Sequence, residues 1–193
     1  MTLTLEQIID RWNSGEGKPY KGSLIDWDSY DGDGIEPPEN MGCMCAQGQV
    51  LHLIGGWEPR RIADTEQAKA DEETAKLLNI SRAHAILLRS INDKQDGAPA
   101  IVLTNPEKVL GDQAHIVLAF WLHIDRMIDK DWAAARAAAG AAAWVAAGYA
   151  CCEIQGARLL RERKQPFFFL PMFGFDSPEG IPPLPADYGK VAL

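Results

Sequence analysis

The chain has 193 residues, 47% of them hydrophobic and 24% charged, which suits a folded globular protein of one domain with an appendage and excludes a disordered chain. Its formal net charge is −8 and its sequence pI about 5.0. Nucleic acid and anionic membranes are therefore not expected partners, because both select clustered Lys and Arg.

The N-terminus is interrupted by Glu6, Asp10 and Arg11 and lacks the basic and apolar regions of a secretory signal, so secretion is not expected. Thr4 stands before Leu5, Ile8, Ile9 and Trp12, with Gln7 three residues on. This spacing predicts a capping box opening a short amphipathic helix, stopped at Asn13-Ser14-Gly15. From Gly15 to Asn40, five glycines, three prolines and seven acidic residues predict a loop, pinned by Tyr20, Trp27 and Tyr30. Within it, Ser29, Asp31, Asp33 and Gly34 partly match a calcium loop. The twelfth position is Asn40 where such a loop needs Glu, and Pro37-Pro38 disrupts the exit helix, so a solvated acidic turn is expected.

Residues 43–54 are apolar and small and predict a short buried helix ended by Gly55-Gly56. Residues 63–79 predict a helix whose water-facing side carries Asp64, Glu66, Lys69, Asp71, Glu72, Glu73 and Lys76, with Ala68, Ala75, Leu77 and Leu78 inside. Ser81 is positioned to cap the next helix, through Ile91. Ala100–Leu103 suits a short strand without an evident partner. Asn105-Pro106-Glu107 is a helix start, and Val109, Ile116, Val117, Phe120, Trp121, Ile124 and Ile128 predict one central core helix from Pro106 to Ile128.

Asp131 opens a segment with high helix propensity to about Gln165, with twelve alanines between Ala133 and Ala150. The uncharged stretch Ala137–Cys152 is too short and too rich in alanine for a membrane span. Gly140, Gly148 and Gly156, with Trp144 and Cys152, fall on one i±4 ridge that would let another helix approach closely. From Pro166 onward six prolines exclude a long helix, while Phe167, Phe168, Phe169, Phe173 and Phe175 are too apolar to remain in water. An extended arm that lies on its own body or on a partner is expected. The fold expected is mainly α: a helical domain over 1–130, a long Ala-rich helix over 131–165 and a Phe/Pro-rich arm over 166–193.

The chemistry-bearing residues form no established catalytic pattern. Cys43, Cys45 and His52 are candidate metal ligands, but Cys-x-Cys is not the usual Cys-x-x-Cys zinc spacing, so buried free thiols are expected and no metal or other cofactor is implied. Nor does the chain contain His-Glu-x-x-His, Gly-x-Ser-x-Gly, a Walker loop or Gly-x-Gly-x-x-Gly.

Three pieces, Gly42-Cys43-Met44-Cys45-Ala46-Gln47-Gly48, Ile91-Asn92-Asp93 and Pro106-Glu107-Lys108-Val109-Leu110, occur in an order that resembles a family of small uncharacterised proteins of actinobacteria and their bacteriophages. In that family a Cys-containing small-residue helix precedes an Asn-Asp turn and a final amphipathic helix. The resemblance covers about residues 40–128, implies a phage-linked origin and a mainly helical fold, and offers no catalytic residue to carry over. The expectation is a non-enzymatic accessory virion protein, a minor capsid or decoration protein, in the virion or the host cytoplasm. A major capsid protein is the expected partner, and a homo-oligomer the expected state. The alternatives are a metal- or small-molecule-binding enzyme using Cys43, Cys45 and the acidic loop, and a phage protein that inhibits a host protein.

Overall fold

The computed structural model describes residues 3–26, 42–94, 99–146 and 170–191, with side chains of the last long helix described as far as residue 138. The protein is mainly helical. The elements are α1 Leu5–Ser14, α2 Ala46–Leu53, α3 Pro59–Ala63, α4 Gln67–Leu77, α5 Arg82–Lys94, α6 Pro99–Thr104, α7 Glu107–Leu110, α8 Ala114–Arg126 and α9 Asp129–Ala146, followed by 3-10 turns at Leu170–Phe173 and Pro178–Gly180. Among the described residues there is no strand, only an antiparallel bridge between Ile25 and Met44. No helix among them is long and apolar enough to cross a membrane.

The chain forms two compact units, one of residues 1–122 with 184–193 and a second of residues 123–183. The first is built around α2, which packs against α3, α4 and α5. Along α2, Ala46, Gln47, Gly48, Gln49, Val50, Leu51 and Leu53 are all buried. α1 opens on the expected capping box, Gln7 N donating to Thr4 Oγ1 and Thr4 N to Gln7 Oε1, and it ends at Gly15 with φ 84°. Its apolar stripe, Leu5, Ile8 and Trp12, is buried.

The loop after α1 is pinned, as far as it is described, by backbone bonds: Tyr20 N to the Met44 carbonyl, Cys45 N to that of Leu24 and Asp26 N to that of Cys43. Gly48 makes this approach possible, since a Cβ there would collide with the Leu24 carbonyl oxygen. Trp27, Tyr30 and the acidic loop residues 28–40 lie outside the described residues.

Three expectations are corrected. The segment from Pro106 to Ile128 is not one core helix. α7 ends at Gly111, whose φ of 82° and ψ of −176° break the helix, and α8 starts afresh at Ala114. In α8 the buried face is Ala114, Leu118, Ala119 and Phe120; Trp121 and Ile124 are half-buried and Ile128 is 64% exposed. The core helix is α2 instead, short and flanked by small residues.

The run Ala100–Leu103 is helical, because Pro99 supplies a helical φ at the first position and Val102 buries completely. α6 packs on α1, α5 and α7. An apolar run of this length fits strand or helix equally well by periodicity.

Asp71 is not on the water-facing side of α4 but buried, with only 3% exposure. It lies on the i, i+4, i+7 stripe with Ala75 and Leu78, which faces inward. Lys69, Glu72, Glu73 and Lys76 do form the expected exposed charged face, linked by i,i+3 and i,i+4 ion pairs.

In the second unit α9 packs against the 3-10 turn Leu170–Phe173. Trp132 meets Phe173 edge-on with ring centroids 6.4 Å apart, and His123 meets Phe175 edge-on at 4.8 Å. Asp131 Oδ2 accepts from Ile128 N, tightening the start of α9.

Gly48→Ala should cost about 3 kcal/mol or more, because the added methyl meets backbone rather than a side chain that can move. Urea unfolding of the two proteins measures this; equal midpoints would mean that residues 24 and 48 are not in contact.

Candidate functional site

Among the described residues of the first unit, buried polar side chains gather around Asp71 and around His84. Gln47 Nε2 donates to Asp71 Oδ1 at 2.8 Å and to the Ala85 carbonyl at 3.0 Å, while Gln67 Nε2 donates to Gln47 Oε1 at 2.8 Å and to Asp71 Oδ1 at 3.1 Å. Arg89 completes the carboxylate's shell, Nε to Oδ1 at 3.2 Å and Nη2 to Oδ2 at 3.3 Å. Both carboxylate oxygens are thus occupied by protein donors, and the cluster joins α2, α4 and α5. In the same helix as Asp71, Thr74 Oγ1 is buried and has no hydrogen-bond partner among the described residues.

The second cluster is assembled by the chain's C-terminal segment. α4 ends in a Schellman motif, Ile80 N bonding to the Ala75 carbonyl and Asn79 N to that of Lys76, which holds Asn79 at φ 48°. Asn79 Nδ2 donates to the Asp187 carbonyl at 2.7 Å, and Gly189 N donates to the Asn79 carbonyl at 3.0 Å. Between these two bonds Tyr188 reaches inward. Its hydroxyl accepts from Ser81 N at 3.2 Å and lies 3.0 Å from His84 Nδ1. Ser81 caps α5 as expected, its Oγ accepting from His84 N.

His84 Nε2 lies 2.9 Å from the Val102 carbonyl, which can only accept, so Nε2 carries the proton. Nδ1 of the neutral ring then accepts from the Tyr188 hydroxyl. Burial pushes His84 below its ordinary value of 6.5, opposed by the smaller effect of the Val102 bond.

Beside this cluster is a cleft of about 240 Å³, lined by Leu5, Leu78, Ile80, Leu103, Leu118 and Leu184, by His84 and Tyr188, and by Pro106, Glu107, His115 and Gly189. Its walls come from α1, the end of α4, α5, α6, α7, α8 and the C-terminal segment. His84 and Tyr188 are turned to each other, whereas Glu107 and His115 are exposed. Among the described residues neither the Glu107 carboxylate nor the His115 ring has a hydrogen-bond or ion-pair partner.

The candidate metal ligands occupy separate posts. Cys45 caps α2, its Sγ accepting from Gly48 N at 3.4 Å, and burial pushes its thiol up to about 11. Cys43 is buried just before it, and burial raises its thiol as well. His52 sits seven residues beyond Cys45, on the last turn of α2, with Nδ1 donating to the Trp57 carbonyl at 2.6 Å. Among the described residues no three His, Cys, Asp or Glu side chains are grouped to hold a metal ion. Both thiols are of the buried, protonated kind, unlike the reactive thiolates that electropositive surroundings produce.

Phe173 and Phe175 are half-buried within the second unit, and Gly140 lies in α9. Phe167, Phe168, Phe169, Gly148, Gly156, Cys151 and Cys152 lie outside the described residues.

No family model matches the chain, and neither a curated protein nor a solved structure matches it.

Asp71→Ala should destabilise the protein by about 3 kcal/mol, since it takes one of two acceptors from each of the Gln47 and Gln67 amides and leaves Arg89 without its ion-pair partner. Denaturant unfolding measures the loss, and a change below the error of that experiment would show that Asp71 is not part of the core. The His84 shift makes a second prediction. The unfolded chain takes up a proton near pH 6.5, while the folded protein resists it to lower pH. Stability should therefore fall as pH drops below about 6.5, and His84→Gln, which keeps a donor and an acceptor but does not titrate, should flatten that fall. Parallel slopes for the two proteins would show that His84 is not the responsible group.

Proposed function

We propose that the protein acts by binding rather than by catalysis, as an accessory virion protein that lies on a major capsid protein. The observation that carries the binding half of this reading is the employment of the buried ionisable groups. Asp71 holds three helices together, His84 receives the C-terminal segment and Cys45 caps the central helix. Each is committed to the fold through these bonds. The virion half rests on the resemblance that the motifs at 42–48, 91–93 and 106–110 suggest in the sequence.

The second unit supplies the docking surface in this reading. Ile128, at the turn between α8 and α9, is 64% exposed and is the large apolar side chain left in water among the described residues. Trp132, Phe173 and Phe175 of the same unit are half-buried. An apolar corner of this kind would seat on a capsid subunit, with the net charge of −8 favouring a basic patch there. Self-association through the same unit would match the repeating lattice of a capsid.

Mass spectrometry of gradient-purified virions should recover the protein in a fixed ratio to the major capsid protein. Ile128→Asp should leave the melting temperature unchanged and reduce incorporation by about fivefold or more, the loss expected when one interface anchor is removed. Recovery from the host cytosol alone, with none in virions, overturns the capsid reading.

A further inference from the structure

We propose that the cleft closed by the C-terminal segment is a binding site for a small organic cation with an apolar body, of the arylalkylamine or alkylamine class. The site lies wholly within the first unit and is independent of the capsid-binding reading.

Size sets the first limit. At about 240 Å³ the cleft exceeds the engineered cavity of ~150 Å³ that accepts benzene, and falls short of the ~300–1,000 Å³ of pockets for drug-sized ligands. One ring with a short chain is the scale it fits. Polarity sets the second. Six of the lining residues are leucine or isoleucine, so the ligand's body must be apolar. The two polar side chains in the interior, His84 and Tyr188, are engaged with each other, with Ser81 and with the Val102 carbonyl. They ask for no partner from the ligand.

Charge sets the third. Glu107 lines the cleft yet is exposed, and no cation among the described residues pairs with it. A ligand whose ring enters the apolar interior would carry an ammonium group toward that carboxylate. The net charge of −8 adds a long-range preference for cations over anions.

The C-terminal segment completes the site. Leu184, Tyr188 and Gly189 form one wall, held by the two Asn79 bonds. A ligand in contact with that wall binds only the form in which the segment is docked, so ligand and segment stabilise one another.

The test uses the full-length chain with leucine methyls labelled for NMR, titrated with 2-phenylethylamine, 2-phenylethanol and 3-phenylpropionate. The amine should give saturable shifts at Leu78, Leu103 and Leu118, and should bind about threefold to fivefold more tightly than the alcohol, as a partly exposed ion pair allows. The carboxylate should bind most weakly. Glu107→Gln, a change at an exposed side chain, should bring the amine down to the alcohol's affinity without altering the melting temperature. Leu103→Phe, which fills the cleft, should remove binding of both. Absence of saturable shifts at these methyls, equal affinity for amine, alcohol and carboxylate, or an amine preference that survives Glu107→Gln overturns the proposal.

Discussion

Two glutamine side chains on a helix with no face in water set the arrangement of the first unit. Gln47 and Gln49 are both essentially inaccessible, and a buried primary amide without partners is costly on every unsatisfied atom. Their demands point to different neighbours. Gln47 is met by Asp71 of α4, the Ala85 carbonyl of α5 and Gln67. Gln49 accepts from Trp12 Nε1 of α1 at 2.9 Å and donates to the carbonyls of Gly17 and Met44. Apolar packing alone would let α2 rotate or slide among its neighbours; amides with fixed directions restrict it to one seating.

The same device recurs at Asn92, whose Nδ2 donates to the Tyr20 carbonyl at 2.7 Å, while Asp93 accepts from Gly22 N. The loop after α1 is thus held by side chains of α5 as well as by the edge of α2. The Asn92-Asp93 pair, which the resemblance implies is a turn, lies in the last turn of α5 and ties down a distant loop.

Local signals were legible where the physics is local. The Thr4–Gln7 capping box, the Ser81 cap and the short helix after Cys45 all follow from a few adjacent residues. What failed needed information from elsewhere in the chain. Gly111 separates two helices that apolar periodicity runs together, and a positive-φ glycine outweighs the pattern on either side of it. Asp71 reads as a surface charge until Arg89, Gln47 and Gln67 are known to meet it, although its place on the Ala75–Leu78 stripe was visible from the start. The cleft was the least legible feature. Its lining is drawn from residues between Leu5 and Gly189, and nothing in the isolated sequence ties Tyr188 to His84.

The docking of residues 184–191 has a consequence for how the chain acquires its shape. The bond from Asn79 to Asp187 spans 108 residues, and every residue of the second unit is synthesised between its two ends. During translation α1 to α7 emerge with the Asn79, Ser81 and His84 receptor vacant, and the missing piece is delivered only after residues 123–183 have left the ribosome. Closing a loop of that length carries an entropic cost and slows the final step relative to the helix-on-helix contacts that precede it. The surroundings of His84 are therefore completed only when the last residues of the chain are free to dock, after the whole of the second unit has been made.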